Sequence, residues 1–232
     1  MSAGTEEGLA GGVRGLLLDF GSVISVSVFE RHRETEQLLR LPAHSLQWMG
    51  PLAPQTDPLW QSMQRDEISE RDYWAQRARE LGEQVGEAGW DMPTLLTRIS
   101  QVEPNTVVRP AMYRLILEAR ARGIRVGILS NELELFYGAS FLERLEVLRH
   151  LDAFVDATRT GILKPDARAY ALATDAMRLE PAQVLFVDDQ LRNIVGAVKA
   201  GLLTQHFDLR DIAGNIAATR ARLGLPVEII NE

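Results

Sequence analysis

Apolar and polar positions alternate in two different ways along the 232 residues, and the change of period divides the chain. An unbroken apolar run at Gly15-Leu-Leu-Leu18 stops on Asp19 and passes into Phe-Gly-Ser-Val-Ile24. Four small or apolar residues before an acid predict a strand covered on both faces, with Gly21 and Ser22 letting the backbone turn close to a ligand. From Pro110 a regular alternation sets in. The pattern predicts a helix from Pro110 to Ala121, a strand over Ile124–Leu129 ending at Ser130-Asn131, and a helical stretch from Glu134 to Arg149. Then follow a short strand at Phe154–Asp156, a helix from Asp166 to Met177, a strand over Val184–Val187 running into Asp188-Asp189 and a helix from Leu191 to Ala200. A last strand at Leu203–Phe207 and a closing helix from Asp211 to Leu223 complete it. Helices alternating with short apolar strands imply an α/β fold, a Rossmann-like parallel sheet with helices on both faces.

Residues 26–104 have another character. Segments from Glu30 to Arg40 and from Ser69 to Leu81 carry apolar residues at helical spacing among many charges, with prolines between them and all four tryptophans inside. This predicts a helical module inserted after the first strand. The expected division is a flexible leader at 1–12, an α/β core from 13–25 and 105–232, and the inserted module at 26–104.

Composition narrows the functional classes. A net charge of −7 without any dense cluster of Lys and Arg argues against a nucleic-acid surface. No apolar segment approaches the roughly 20 residues of a spanning helix. The first 12 residues lack the basic start and apolar middle of a signal peptide, so a cytoplasmic location is expected. With no cysteine, disulfides, zinc-thiolate sites and thiol catalysis are excluded.

Chemistry concentrates at the strand ends. Asp19, Ser130 with Asn131, and Asp188 with Asp189 each follow an apolar run, and Lys164 stands on the loop Gly161-Ile-Leu-Lys-Pro-Asp166 before a helix. In open parallel sheets the carboxyl ends of the strands form the ligand-binding edge. Each residue alone has a simpler reading as a helix cap or a solvated charge. Together, acids, a hydroxyl and a cation on one edge suit a magnesium ion and a phosphate.

On these motifs the sequence resembles the haloacid dehalogenase superfamily. The motifs are Leu-Leu-Leu-Asp19-Phe-Gly-Ser-Val, Ile-Leu-Ser130-Asn131, Gly-Ile-Leu-Lys164-Pro-Asp and Leu-Phe-Val-Asp188-Asp189-Gln-Leu-Arg-Asn193-Ile-Val-Gly196-Ala, in family order. The resemblance runs from Val13 to about Phe207 and is to the magnesium-dependent phosphatases with a helical cap, acting on a small phosphorylated molecule. It implies Asp19 as nucleophile, Ser130 and Asn131 as phosphate-binding groups, and Lys164 as the cation that clamps the charge. Magnesium is then held by Asp19, the backbone carbonyl of Gly21 and Asp189. Asp188 is either structural or reaches the metal through water, and Asn193 stands behind the ligands where an acid is usual.

One position departs from the pattern. Most phosphatases of this superfamily carry a second Asp two residues after the nucleophile as general acid and base, and here that residue is Gly21. General acid catalysis is worth about 10²–10⁴-fold, so the expected substrates have leaving groups that need little protonation, such as an anomeric sugar phosphate or an acyl phosphate. Sugar-1-phosphate phosphatases of this superfamily share the Asp-x-Gly pattern. The same gap leaves two alternatives: a dehalogenase-like hydrolase in which Asp19 attacks carbon, with Arg31 or Arg33 cradling halide and carboxylate, and a binding protein without turnover. His32, Arg33, Trp48 and Tyr73 are candidate specificity residues. The sequence leaves the oligomeric state open.

Overall fold

The structure, a computed structural model, describes residues 12–99 and 103–226. The expected leader, apart from Gly12, lies outside the described residues. Five strands form one parallel sheet: β1 (Gly15–Leu18), β2 (Arg125–Ser130), β3 (Ala153–Asp156), β4 (Val184–Asp188) and β5 (Leu203–His206), in the order β3-β2-β1-β4-β5. The registers pair Leu17 with Gly127 on one side and with Phe186 on the other. The chain moves from β1 outward to β2 and β3, then crosses back to β4 and β5. That reversal puts the switch point of the sheet, where such folds bind ligands, at the carboxyl ends of β1 and β4.

Alternation along the buried strands sends side chains into two separate layers. Leu16, Leu18, Val126, Ile128, Leu185 and Val187 belong to one cluster, whereas Leu17, Leu129, Val184 and Phe186 belong to another on the opposite face. Burial on both faces is why these strands read as continuous apolar runs.

Between β1 and β2 the chain leaves the sheet and returns by two neighbouring segments. Val26 N–H donates to Val107 O at 2.8 Å and Arg109 N–H to Ile24 O at 2.8 Å. Arg109 ties the junction together: its guanidinium donates to Ser22 O and pairs with Glu30. The intervening residues include α1 (His32–Leu38), α2 (Pro58–Gln64), α3 (Glu70–Gln84) and α4 (Met92–Ile99). Ser69 caps α3 in a reciprocal box with Asp72. Phe29, Leu46, Trp48, Trp60, Tyr73, Trp74, Leu81, Trp90 and Leu95 pack into a hydrophobic cluster of their own. At its centre the fully buried Asp57 accepts from Trp60 N–H (2.9 Å), Gly50 N–H (3.1 Å), Tyr73 O–H (2.8 Å) and Arg77 (2.5 Å). A buried carboxylate is tolerated only when its lone pairs are met in this way.

The remaining helices cover the sheet: α5 (Pro110–Ala121), α6 (Leu133–Tyr137), α7 (Ala139–Arg144), α8 (Ala157–Thr160), α9 (Ala167–Met177), α10 (Leu191–Lys199) and α11 (Ile212–Arg222). The single helical stretch expected from Glu134 to Arg149 is broken. Gly138, at φ 80°, separates α6 from α7, and a turn of tighter helix at Glu146–His150 follows. Gly196 has a different use. A Cβ there would come within 2.6 Å of Pro165 and 2.9 Å of the Tyr170 hydroxyl, so only glycine lets α10 approach the loop that carries Lys164.

Candidate active site

Asp19 leaves β1 in extended conformation, and the chain then turns sharply, with Ser22 at φ 63°. Its carboxylate is buried, and Lys164 Nζ donates to Oδ1 at 2.8 Å. Oδ2 takes no hydrogen bond from the described residues. The same ammonium donates to Asp188 Oδ2 at 2.7 Å, so one cation bridges the ends of β1 and β4. Burial pushes the Asp19 carboxyl up to about 7; Lys164 opposes that shift and Asp188 adds to it. The two carboxylates hold the Lys164 ammonium well above its ordinary range despite its burial.

Asp188 and Asp189 are adjacent but unlike. Asp188, with no exposed surface, is fully engaged: besides Lys164 it accepts from Gln190 N–H at 2.8 Å and from Asn193 Nδ2 at 3.1 Å to each oxygen. Asp189 takes no side-chain hydrogen bond from the described residues and lines the cleft. Burial, reinforced by the charges of Asp188, Asp19 and Glu70, holds its carboxyl well above the usual carboxylate range. Oxygens of Asp19, Asp188 and Asp189 lie within 4.8 Å of one another. Three carboxylates against one ammonium leave two negative charges to be offset, the charge of one divalent cation.

Ser130 ends β2 facing the cleft, its hydroxyl free of hydrogen bonds to the described residues, while Asn131 turns its amide to the loop beyond β3. The Asn131 Oδ1 accepts from Lys164 N–H at 2.7 Å, and its Nδ2 donates to Lys164 O at 3.3 Å. These bonds fix the backbone that presents the ammonium. Asn193 lies behind Asp188 and does not border the cleft. Asp19, Gly21, Ser130, Asn131, Lys164 and Asp189 all line one cleft of about 720 Å³ measured to its open mouth.

The same cleft is lined by the apolar and aromatic residues Val26, Val28, Phe29, Trp60, Trp74 and Met92, and by Leu133, Phe136 and Tyr137. Sequence reasoning named His32, Arg33, Trp48 and Tyr73 as specificity candidates, and none of them borders the cleft. His32, Trp48 and Tyr73 are buried in the interior of the helical module, and Arg33 is exposed. Glu70, at the start of α3, also reaches the cleft, where it sits 3.4 Å from Asn131 Nδ2 and 3.7 Å from Arg192. The helical spacing from Ser69 to Leu81 is legible in the sequence, but nothing there aims Glu70 at the sheet edge.

A Rossmann-like sheet carrying three acids and a lysine at its switch point defines a class, and residues 15–201 match the family model of haloacid dehalogenase-like hydrolases. The chain belongs to that family. It is 31% identical over 120 residues to mouse Acyl-CoA dehydrogenase family member 10, a stretch that is 52% of this chain and 11% of that protein. It is 30% identical over 131 residues to Phosphatase MT3486 of Mycobacterium tuberculosis, covering 56% of this chain and 58% of that one. The chain thus spans about a tenth and somewhat over half of these two curated relatives. Among solved structures it resembles the putative HAD-hydrolase YfnB from Bacillus subtilis bound to magnesium, with a TM-score of 0.61 and 18% identity over 83% of this chain and 85% of that one. It also resembles the L-2-haloacid dehalogenase RSc1362, with a TM-score of 0.56 and 19% identity over 94% and 91% of the two chains. At these identities the structural likeness shows the fold alone. No helix of the described residues is long and apolar enough to cross a membrane.

Proposed function

We propose that the chain is a magnesium-dependent phosphatase acting on a small phosphomonoester through an aspartyl-phosphate on Asp19, with residues 26–104 serving as a cap over the site. The observation that carries this reading is the Asp189 carboxylate, buried beside two other acids and without a hydrogen bond from the described residues. Such a group calls for a cation, and hard carboxylate oxygens suit magnesium. Asp189, Asp19 and the Gly21 carbonyl would hold the ion, which when bound would offset the repulsion between the acids and a phosphate dianion.

Asp19 attacks phosphorus while the ester P–O bond breaks, and the leaving oxygen departs with the bonding pair. Lys164 holds Asp19 in place and contributes positive charge beside the phosphoryl group. The Ser130 hydroxyl donates to a phosphoryl oxygen. Water then attacks the same phosphorus, the P–O bond to Asp19 breaks, and inorganic phosphate leaves with the carboxylate restored. Asp188 and Asn193 act indirectly by fixing Lys164 and the start of α10. The relatives named as phosphatases are consistent with this chemistry.

A dehalogenase reading has less support. Arg31, expected to cradle a halide or carboxylate, pairs with Glu34 at 2.8 Å, and neither it nor Arg33 lines the cleft. The test is phosphate release from an activated phosphate ester with and without magnesium, alongside Asp19→Asn. The expected result is metal-dependent release that the folded variant loses. Wild-type activity in Asp19→Asn, or halide release without metal, would overturn the assignment.

A further inference from the structure

The cleft holds a second kind of information, in the wall that faces the leaving group. Val26, Val28, Phe29, Trp60, Trp74 and Met92, all from the helical module, line the cleft together with the reactive acids, and no arginine or histidine stands among the lining residues. Several polar side chains of the cleft are partly engaged, and the Ser22 and Tyr137 hydroxyls also line it. Ser25 Oγ accepts from Ser22 N–H at 3.3 Å and Ser27 Oγ from Phe29 N–H at 3.2 Å. Glu132 is held by Arg71 at 3.1 Å, and Gln190 Oε1 accepts from Arg192 at 3.0 Å.

Such a wall offers a polyhydroxylated leaving group only a few serine and tyrosine hydroxyls, fewer partners than the water its hydroxyls would lose. A second anionic group fares no better, because Glu70 and Glu132 border the same space and Lys164 is committed to Asp19 and Asp188. An uncharged ring, in contrast, gains apolar burial and aromatic contact. Gly21 adds a separate constraint. No side-chain acid stands two residues after Asp19 to protonate a departing oxygen, so the leaving group must tolerate leaving as an anion.

Resting on the phosphatase reading, we propose that the substrate is an aryl phosphate, the monoester of an uncharged, apolar phenol whose ring lies against Phe29, Trp60, Trp74 and Met92. The ester P–O bond breaks with the electron pair going to the phenolic oxygen, which takes its proton from water after departure.

Phosphate release by the full chain with magnesium is to be measured on 1-naphthyl phosphate, phenyl phosphate, α-D-glucose 1-phosphate, 2-phosphoglycolate and acetyl phosphate. The two aryl esters have leaving groups of similar basicity, so their ratio isolates burial of the second ring. The expected kcat/KM for 1-naphthyl phosphate is about tenfold above that for phenyl phosphate and further above the sugar and carboxylate esters. In Met92→Glu the naphthyl-to-phenyl ratio should fall toward one. As a check that needs no variant, 1-naphthylmethylphosphonate should inhibit the wild-type protein about tenfold more tightly than benzylphosphonate. Turnover of acetyl phosphate with no naphthyl preference, or equal inhibition by the two phosphonates, overturns the aryl assignment while the phosphatase reading stands. No metal-dependent release from any of the five, acetyl phosphate included, overturns both.

Discussion

Lys164 Nζ reaches Asp19 Oδ1 at 2.8 Å across 145 residues of sequence, and the same ammonium holds Asp188 at 2.7 Å. One buried cation therefore compensates two buried carboxylates from different strands. Removing it leaves both acids without a partner of opposite charge in a medium that solvates them poorly. Lys164→Met should abolish turnover and destabilise the metal-free protein by about 3 kcal/mol at pH 8. The loss should shrink at pH 6, where Asp19, raised to about 7 even beside the lysine, can take up a proton. Urea unfolding at the two pH values checks this. An equal loss at both would show that the lysine acts through packing and not through charge.

The neighbours Asp188 and Asp189 should respond in opposite ways to the same substitution. In Asp188→Asn three donors, from Lys164, Gln190 and Asn193, lose part of their acceptor, and stability should fall by about 2 kcal/mol with or without magnesium. In Asp189→Asn a carboxylate without hydrogen bonds from the described residues is neutralised. Its raised pKa means that the charged form opposes folding at neutral pH, so the variant should be more stable than wild type in chelator. It should also bind magnesium at least about tenfold more weakly. Calorimetric titration with magnesium and melting in chelator separate the two residues. Identical behaviour would contradict the division of labour between them.

The floor of this site was readable in the sequence, and its walls were not. Asp19, Ser130 and Asp188 each end an apolar run, and a parallel sheet buried on both faces turns such runs into strands whose ends share one edge. The walls depend on which side of a short helix turns inward. Trp48 and Tyr73 went to the interior of the module, while Trp60 and Trp74 reach the cleft, and a common tryptophan signal precedes both outcomes. Helices α2 and α4, of seven and eight residues, lie outside the two segments whose spacing reads as helical. The break at Gly138 lies within an otherwise helical pattern, where an isolated glycine is tolerated at a cost and so does not by itself mark an end. Asn131 was legible as a polar residue at a strand end, but its grip on the Lys164 backbone joins residues that only the fold brings together.

His32 gives the helical module an acid limit. Neither ring nitrogen has a hydrogen-bond partner among the described residues, the ring lies 4.4 Å from that of Trp48, and burial lowers its pKa from 6.5 to about 4, with Arg77 adding and Glu36 and Asp57 opposing. The unfolded chain takes up this proton near pH 6.5 and the folded chain only near pH 4. Between those values the unfolded state binds more protons, so stability falls as the pH is lowered. The contribution reaches about 3 kcal/mol at the acid end. His32→Leu should remove that part of the slope, leaving a flatter dependence of stability between pH 6.5 and 4 than in the wild type. Denaturant titrations across this range, on both proteins, decide it; parallel curves would mean that His32 charges freely in the fold.

Gly21 is the residue through which the reaction itself can be changed. Its backbone, at φ −61° and ψ 132°, suits any amino acid, and an added Cβ would meet only Asp19 Oδ2, at 3.7 Å. A Cβ therefore fits at this position, and Gly21→Asp would introduce a carboxyl close to the Asp19 carboxylate. For phenols, whose oxygens leave readily, the gain should stay within about threefold. For alkyl phosphates, whose leaving oxygens need a proton, it should approach about 10²-fold, the lower end of what a positioned general acid supplies. The measurement is the dependence of kcat/KM on leaving-group basicity, which should flatten in the variant. A folded, magnesium-binding Gly21→Asp with an unaltered slope would show that protonation of the leaving group does not limit the reaction, and the selectivity attributed to Gly21 would then have to lie in the apolar wall alone.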